Sequence, residues 1–369
     1  MFWNDDWSKG SESWNKGCNM NLPAAYRAVD KVLDTLDFNA LFAGFHKYKY
    51  ALCTGSEICL DGKMIPGQDL FRGNTAIEYN GEYLAIWNME ADPVEDAEVL
   101  AYLLVHEMFH CHQRAHGEKR YPSDLALLNY PGDIENFQKK YNENLCLADS
   151  FEKNDEKSLR KFAWIRNMRM RLCTDVVQQE LEAETIEGMA EYVGLKALQS
   201  INRKKFANVT SDYIQKLRAQ DRLLFDVRRI SYYSGALCNL CLDNHGMEIR
   251  NDFASKLTVY EQNPIAFDDA PITIKHYDFV SSCYAEMIVE RERVVTECIE
   301  NWEYTACNAL ICGYDPMNMF RVGIFIYCKY FVCLNVNGTV QTIHTSVVLQ
   351  LDENSNQTIV GYYCVKQHG

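Results

Sequence analysis

Apolar residues recur along this chain with two different periods, and the change from one to the other divides it. From Leu22 to Phe45 they return every three to four residues, which predicts one helix with an apolar face. The period then falls to two. Lys49–Cys53, Glu57–Ile65 about a turn at Asp61-Gly62, and Ala76–Trp87 about Asn80-Gly81 read as strands. Asn-Gly between alternating runs is a strong hairpin signal, so a small antiparallel sheet is expected here. From Pro93 to about Asn301 the pattern is mostly helical, apart from a polar stretch at 263–276. From Arg321 it turns to β again: Val322–Val336, a turn at Asn337-Gly338, Thr339–Leu351, a turn at Glu353–Asn356, then Thr358–Val365. Three strands in a meander are predicted there. The expected class is α+β, in three parts. Residues 1–92 form an N-terminal helix and antiparallel sheet, 93–301 a large helical region, and 302–369 a C-terminal β subdomain.

One helix in the middle region carries chemistry. Asp92 as cap and Pro93 at the first position predict its start. Leu100, Leu103, Leu104, Met108 and Cys111 form a core-facing stripe, so the helix is expected to be largely buried. Within it stands His106-Glu107-Met108-Phe109-His110, an H-E-x-x-H motif. Positions i and i+4 share a helix face, and two neutral imidazoles at that spacing suit two corners of a tetrahedral zinc site. Glu107, one step round the helix, suits a general base toward water at the open corner. The alternative is a pair of core histidines bonded to backbone or to carboxylates.

Such a site needs a third donor. Downstream, Glu180, Glu182, Glu184, Glu187 and Glu191 crowd another helical stretch. Glu187 is the favoured ligand among them, because Gly188 and Ala190 beside it let a second helix approach closely. Glu191, one turn further on, is placed to hydrogen-bond the far nitrogen of a zinc-bound histidine and so orient it. The alternative is a solvated acidic face, the usual fate of Glu on helices.

These motifs resemble those of the gluzincin zinc metallopeptidases, the clan of thermolysin and the glycyl aminopeptidases. In the aminopeptidase branch the third ligand opens an E-G-x-A-x-Y stretch, matched here by Glu187-Gly188-Met189-Ala190-Glu191-Tyr192. A later Y-x-x-G-A-L-like helix start is resembled by Ser231-Tyr232-Tyr233-Ser234-Gly235-Ala236-Leu237. The resemblance implies a zincin-like catalytic core centred on the 93–301 helical region, with zinc held by His106, His110 and Glu187, Glu107 as base and Tyr232 as oxyanion donor, Tyr233 being its fallback. It covers about Asn74 to Asn244. The chain departs from the pattern in a long gap between the ligand motifs, filled near Pro122–Asp175. It also lacks the Gly-x-Met-Glu-Asn amine-binding signature, which Asn88-Met89-Glu90-Ala91 echoes only faintly. In zincins an edge strand lines the cleft and pairs with extended peptide. Ala85-Ile86-Trp87-Asn88 is the candidate strand, making Ala85, Trp87 and Tyr233 candidate substrate contacts. The expected activity is zinc-dependent peptide hydrolysis. The rival is a catalytically idle, zinc-stabilised module that binds a peptide or protein partner.

Composition narrows the partners. The 369 residues are 47% hydrophobic with a net charge of −14, which argues against nucleic acid and anionic membranes. Arg160–Arg171 reads as an amphipathic helix whose basic face is solvated and pairs with acidic neighbours. No run reaches 18 apolar residues, and the opening Met1–Asp6 is acidic and polar, without the character of a secretory signal. With 15 cysteines below disulfide-scaffold density, a cytoplasmic protein with reduced thiols is expected. Cys238 and Cys241 form a C-x-x-C read as two core thiols. His112 falls on a different helix face from His110, and His245 and His276 fall in loops. Arg228 and Arg229 read as helix-surface residues.

Overall fold

The computed structural model describes residues 21–128, 133–267 and 272–365; the Met1–Asp6 stretch lies outside the described residues. The chain opens with helices α1 (Leu22–Leu33) and α2 (Phe38–Leu41). Strands β1 (Lys49–Cys53), β2 (Glu57–Leu60), β3 (Lys63–Pro66), β4 (Thr75–Tyr79) and β5 (Glu82–Asn88) follow, then helix α3 (Ala97–Ala115). Next come α4 (Asp124–Leu127), α5 (Ile134–Lys153), α6 (Glu156–Leu172), α7 (Thr174–Ala183), a π turn at Glu184–Gly188, and α8 (Met189–Ile201). Helices α9 (Arg203–Arg218), α10 (Val227–Asn244), α11 (Val259–Gln262) and α12 (Asp278–Asn301) complete the helical part. The last strands are β6 (Glu303–Tyr314), β7 (Met319–Val322), β8 (Phe325–Cys328), β9 (Val332–Val336), β10 (Thr339–Ile343), β11 (Val347–Leu351) and β12 (Thr358–Cys364).

Two compact units divide the chain, each discontinuous. The first takes the described chain through Arg120 together with Glu184–Ile214 and Gly235–Asn263. The second takes Tyr121–Ala183, Gln215–Ser234 and the chain from Pro264 onward.

In the first unit the single helix expected over Leu22–Phe45 is two. Asp34 closes α1, and Asp37 caps α2 by accepting from the Ala40 amide at 3.1 Å. Aspartate competes for backbone donors in this way at helix ends. The sheet has five strands in the order β3-β2-β1-β5-β4. It is mixed rather than antiparallel, because β1 and β5 run parallel. The hairpins are as the turn residues require: Asp61, Asn80 and the glycines after them all take positive φ. Strand β5 is paired on both sides, with β1 and β4, and Leu84 to Trp87 are buried on both of its faces. The free edge beside it is β4. Helix α3 packs against β1, β4, β5, α1 and α8.

The second unit contains the α5–α6 pair and a seven-stranded antiparallel sheet, ordered β10-β9-β6-β12-β11-β8-β7. This is larger than the three-strand meander expected. The runs expected as single long strands are broken at Gly323 and at 329–331, and β6 lies outside the strands that the pattern predicts. Its Ala, Cys, Asn and Gly content carries little β signal, and its pairing with β9 and β12 on either side decides its conformation. One face buries Ile311, Ile326, Leu334 and Leu349, and Val348 on the other packs with Val295 and Cys298 of α12. Among the described residues no helix is long and apolar enough to cross a membrane.

The basic helix read from Arg160–Arg171 is α6, but its face is not solvated throughout. Arg160 pairs with Glu156 at the surface. Arg166 and Arg169 are buried, and both bind Glu143 of α5 at 2.7 Å. Arg169 also binds Glu180 of α7, and Lys140 reaches Glu180 at 3.0 Å. The pairing with acidic neighbours holds throughout, but Arg166 and Arg169 are not solvated, because their partners come from α5 and α7.

Candidate metal centre

Helix α3 begins four residues later than expected. Its cap is Asp96, whose carboxylate accepts from the amides of Glu98 and Val99 at 2.9 and 3.2 Å. Asp92 is otherwise engaged: its carboxylate accepts from Asn74 and its carbonyl from the Trp87 indole at 2.9 Å. The helix is buried over most of its length and presents His106, Glu107 and His110. Opposite runs the π turn with Glu187, continued by α8 with Glu191. Close approach of α3 and α8 depends on Gly194, where a Cβ would stand 3.0 Å from the Tyr102 carbonyl oxygen and 3.5 Å from the His106 Cβ. Gly188 serves a different contact, since a Cβ on Gly235 of α10 would stand 2.8 Å from its Cα.

Three donor atoms converge. His106 Nε2 and His110 Nε2 are 3.0 Å apart, and Glu187 Oε2 lies 3.1 Å from the second and 3.7 Å from the first. A tetrahedral zinc ion with bonds of about 2.0–2.1 Å has ligand-to-ligand edges of about 3.3 Å. The triangle therefore has the size such an ion demands. These three residues form a group that can hold a metal ion.

The far nitrogens show why the group favours a cation. His106 Nδ1 donates to Glu191 Oε2 at 2.8 Å, and Glu191 also accepts from the Tyr213 hydroxyl of α9 at 2.5 Å. His110 Nδ1 donates to Gln113 Oε1 at 2.7 Å. With both Nδ1 atoms donating outward, both Nε2 atoms and the Glu187 carboxylate point at one spot, which either a proton on His106 or a metal ion can fill. Three acceptors in contact repel unless positive charge lies among them. Burial works to lower the His106 pKa, but hydrogen bonds to Glu187 and Glu191 outweigh it and push it up to about 10. Burial works to raise Glu191, and His106 outweighs it, holding the carboxyl below its usual range. The pocket thus stabilises positive charge. Two nitrogens and one carboxylate oxygen form a donor set suited to zinc.

Glu107 is 5% exposed, and burial pushes its carboxyl above the usual range against the pull of both histidines. Glu180, Glu184, Glu187 and Glu191 are likewise buried, so the acidic stretch is not a solvated face. Tyr232 is half-buried on α10 in the second unit. Tyr233 is buried there, with Lys216 Nζ 3.3 Å from its hydroxyl. Ala85 and Trp87, expected on an edge strand, are buried on the interior strand β5. His112 is buried among Phe42, Phe45, Phe109 and Phe253, away from the metal group. His276 is exposed near Glu135. Arg228 pairs with Asp124 and Arg229 with Asp226, and Cys238 and Cys241 are both buried. Gln113 and Tyr213 were missed. Gln113 lies one turn past His110 and its spacing could have signalled it, whereas Tyr213 has no local signal. Comparison with protein-family models, with curated proteins and with solved structures finds no match.

Proposed function

We propose that this protein is a zinc-dependent peptidase with a gluzincin-type site. The observation that carries the reading is the convergence of His106, His110 and Glu187 at tetrahedral spacing beside the buried carboxylate of Glu107. A bound zinc ion would supply Lewis acidity to a peptide carbonyl and to water. His106, His110 and Glu187 would hold it, with the histidines oriented by Glu191 and Gln113. Glu107, desolvated and therefore more basic than an ordinary carboxylate, accepts the proton of the attacking water and returns it to the leaving amine. Assignment of Tyr232 as oxyanion donor rests on its Y-x-x-G-A-L motif alone.

Elemental mass spectrometry on purified wild type and Glu187→Ala tests the ligand set. About one zinc per chain is expected in the wild type and much less in the variant. Equal occupancy would remove Glu187 from the set, and a zinc-free wild type would end the reading. Cleavage of a peptide library, abolished by chelator, is expected next. Zinc without cleavage would favour the idle binding module.

A further inference from the structure

We infer that Gln113 is a positioning residue, a strut that fixes His110 and the Glu187-bearing π turn to each other. The inference rests on the metal-site reading above. Gln113 is fully buried, and both ends of its carboxamide are engaged. Its oxygen accepts from His110 Nδ1 at 2.7 Å, and its nitrogen donates to the carbonyls of Ile186 at 3.0 Å and Thr185 at 3.4 Å. Carbonyl oxygens only accept, so the amide has one workable orientation. Flipped, it would set oxygen against two carbonyls and an N–H group against an N–H group. The same planar group therefore decides which His110 nitrogen faces the metal and where the π turn lies against α3.

The π turn needs such a partner. A π turn interrupts the regular helical ladder, and such turns are rare and frequently lie at functional sites. Here the side-chain donor comes from α3, the helix that also supplies both histidines. A return to α geometry would rotate Glu187 relative to α3 and spread the donor triangle. Gln113 thereby links two ligands 77 residues apart in sequence. A residue acting only on His110 would need an acceptor and no donor, whereas this one uses both.

Two variants separate the halves. Gln113→Met removes donor and acceptor at similar volume. Gln113→Glu keeps an acceptor for His110 and removes the donor to the π turn. Zinc affinity is measured by competition with a chromophoric chelator, and amide hydrogen exchange over 184–191 is followed in the metal-free proteins. Gln113→Met should bind zinc about 10–100-fold more weakly, and both variants should exchange faster over the π turn than wild type. Gln113→Glu should lose affinity less, since His110 keeps its partner. Wild-type affinity and exchange in Gln113→Met would overturn the strut. Wild-type exchange in Gln113→Glu would also overturn it, reducing Gln113 to an orienter of His110. If Gln113→Glu fails to fold, Gln113→Met decides alone. A wild type that binds no zinc would defeat the metal reading, and the exchange comparison would still judge the strut.

Discussion

Glu107→Gln is expected to keep about one zinc per chain and to lower peptide turnover about 10²–10⁴-fold, the range a positioned general base supplies. The amide matches the carboxylate in shape but cannot take a proton. Its effect should fall on turnover rather than folding, because Glu107 is not a ligand in the donor triangle. Burial already pushes its carboxyl above the usual range, so a neutral amide removes a desolvation cost and leaves the thermal midpoint unchanged or higher. Turnover assays, zinc analysis and thermal unfolding on one preparation check all three expectations. Undiminished turnover would take the base role away from Glu107. Loss of zinc together with turnover would make the residue part of the metal-holding group instead.

Glu143→Gln is expected to destabilise the protein by about 3–5 kcal/mol, the usual result of removing one partner from a buried ion pair. Glu143 accepts from Arg166 at 3.0 and 2.7 Å and from Arg169 at 2.7 Å, with all three side chains buried. An amide oxygen can keep either the two Arg166 bonds at Oε1 or the Arg169 bond at Oε2, but it cannot balance the charge. Burial works to raise the Glu143 and Glu180 carboxyls. The cations beside them (Arg166, Lys140 and Arg169 for Glu143; Arg169 and Lys140 for Glu180) outweigh it, holding Glu143 well below its usual range and Glu180 at about 2. Depressed carboxyls bind protons more weakly in the folded chain than in the unfolded one. Their contribution is therefore complete above the unfolded value of about 4.3 and fades as pH falls through the folded values. The gap between wild type and variant should be full at pH 7 and narrow below about pH 4. Chemical denaturation at pH 7, 5 and 3 measures it. A gap that stays constant with pH would show that the loss comes from packing and not from charge.

The network also shows where reading a sequence stops. The 3.6-residue pattern of α6 correctly placed Arg160, Arg166 and Arg169 on a helix, and acidic partners were expected. Whether a basic face meets water or another helix depends on α5 and α7, which no local pattern specifies. The same limit applied to β5. Its apolar run from Leu84 to Trp87 fits a strand buried on both faces as well as a half-buried one, and its parallel pairing with β1 put it inside the sheet. Strand β6 carries no clear local pattern because pairing on both sides, rather than its own residues, makes it a strand.

What the sequence by itself determined was local: the hairpins at Asp61-Gly62, Asn80-Gly81 and Asn337-Gly338, the buried helix carrying His106, Glu107 and His110, and the candidacy of Glu187 and Glu191. Turn chemistry and helical spacing act over four or five residues, and that range is enough for each. Tertiary structure alone decided that Glu187 closes a triangle with both histidines. It also decided that Gly194 allows the helices near enough for this, that Tyr213 braces Glu191 behind His106, and that Gln113 bonds His110. Those outcomes depend on the crossing of α3 with α8 and on the π turn. Hydrogen-bond geometry between segments some 77 residues apart is set by the packing of the whole unit, which no single stretch of the chain encodes.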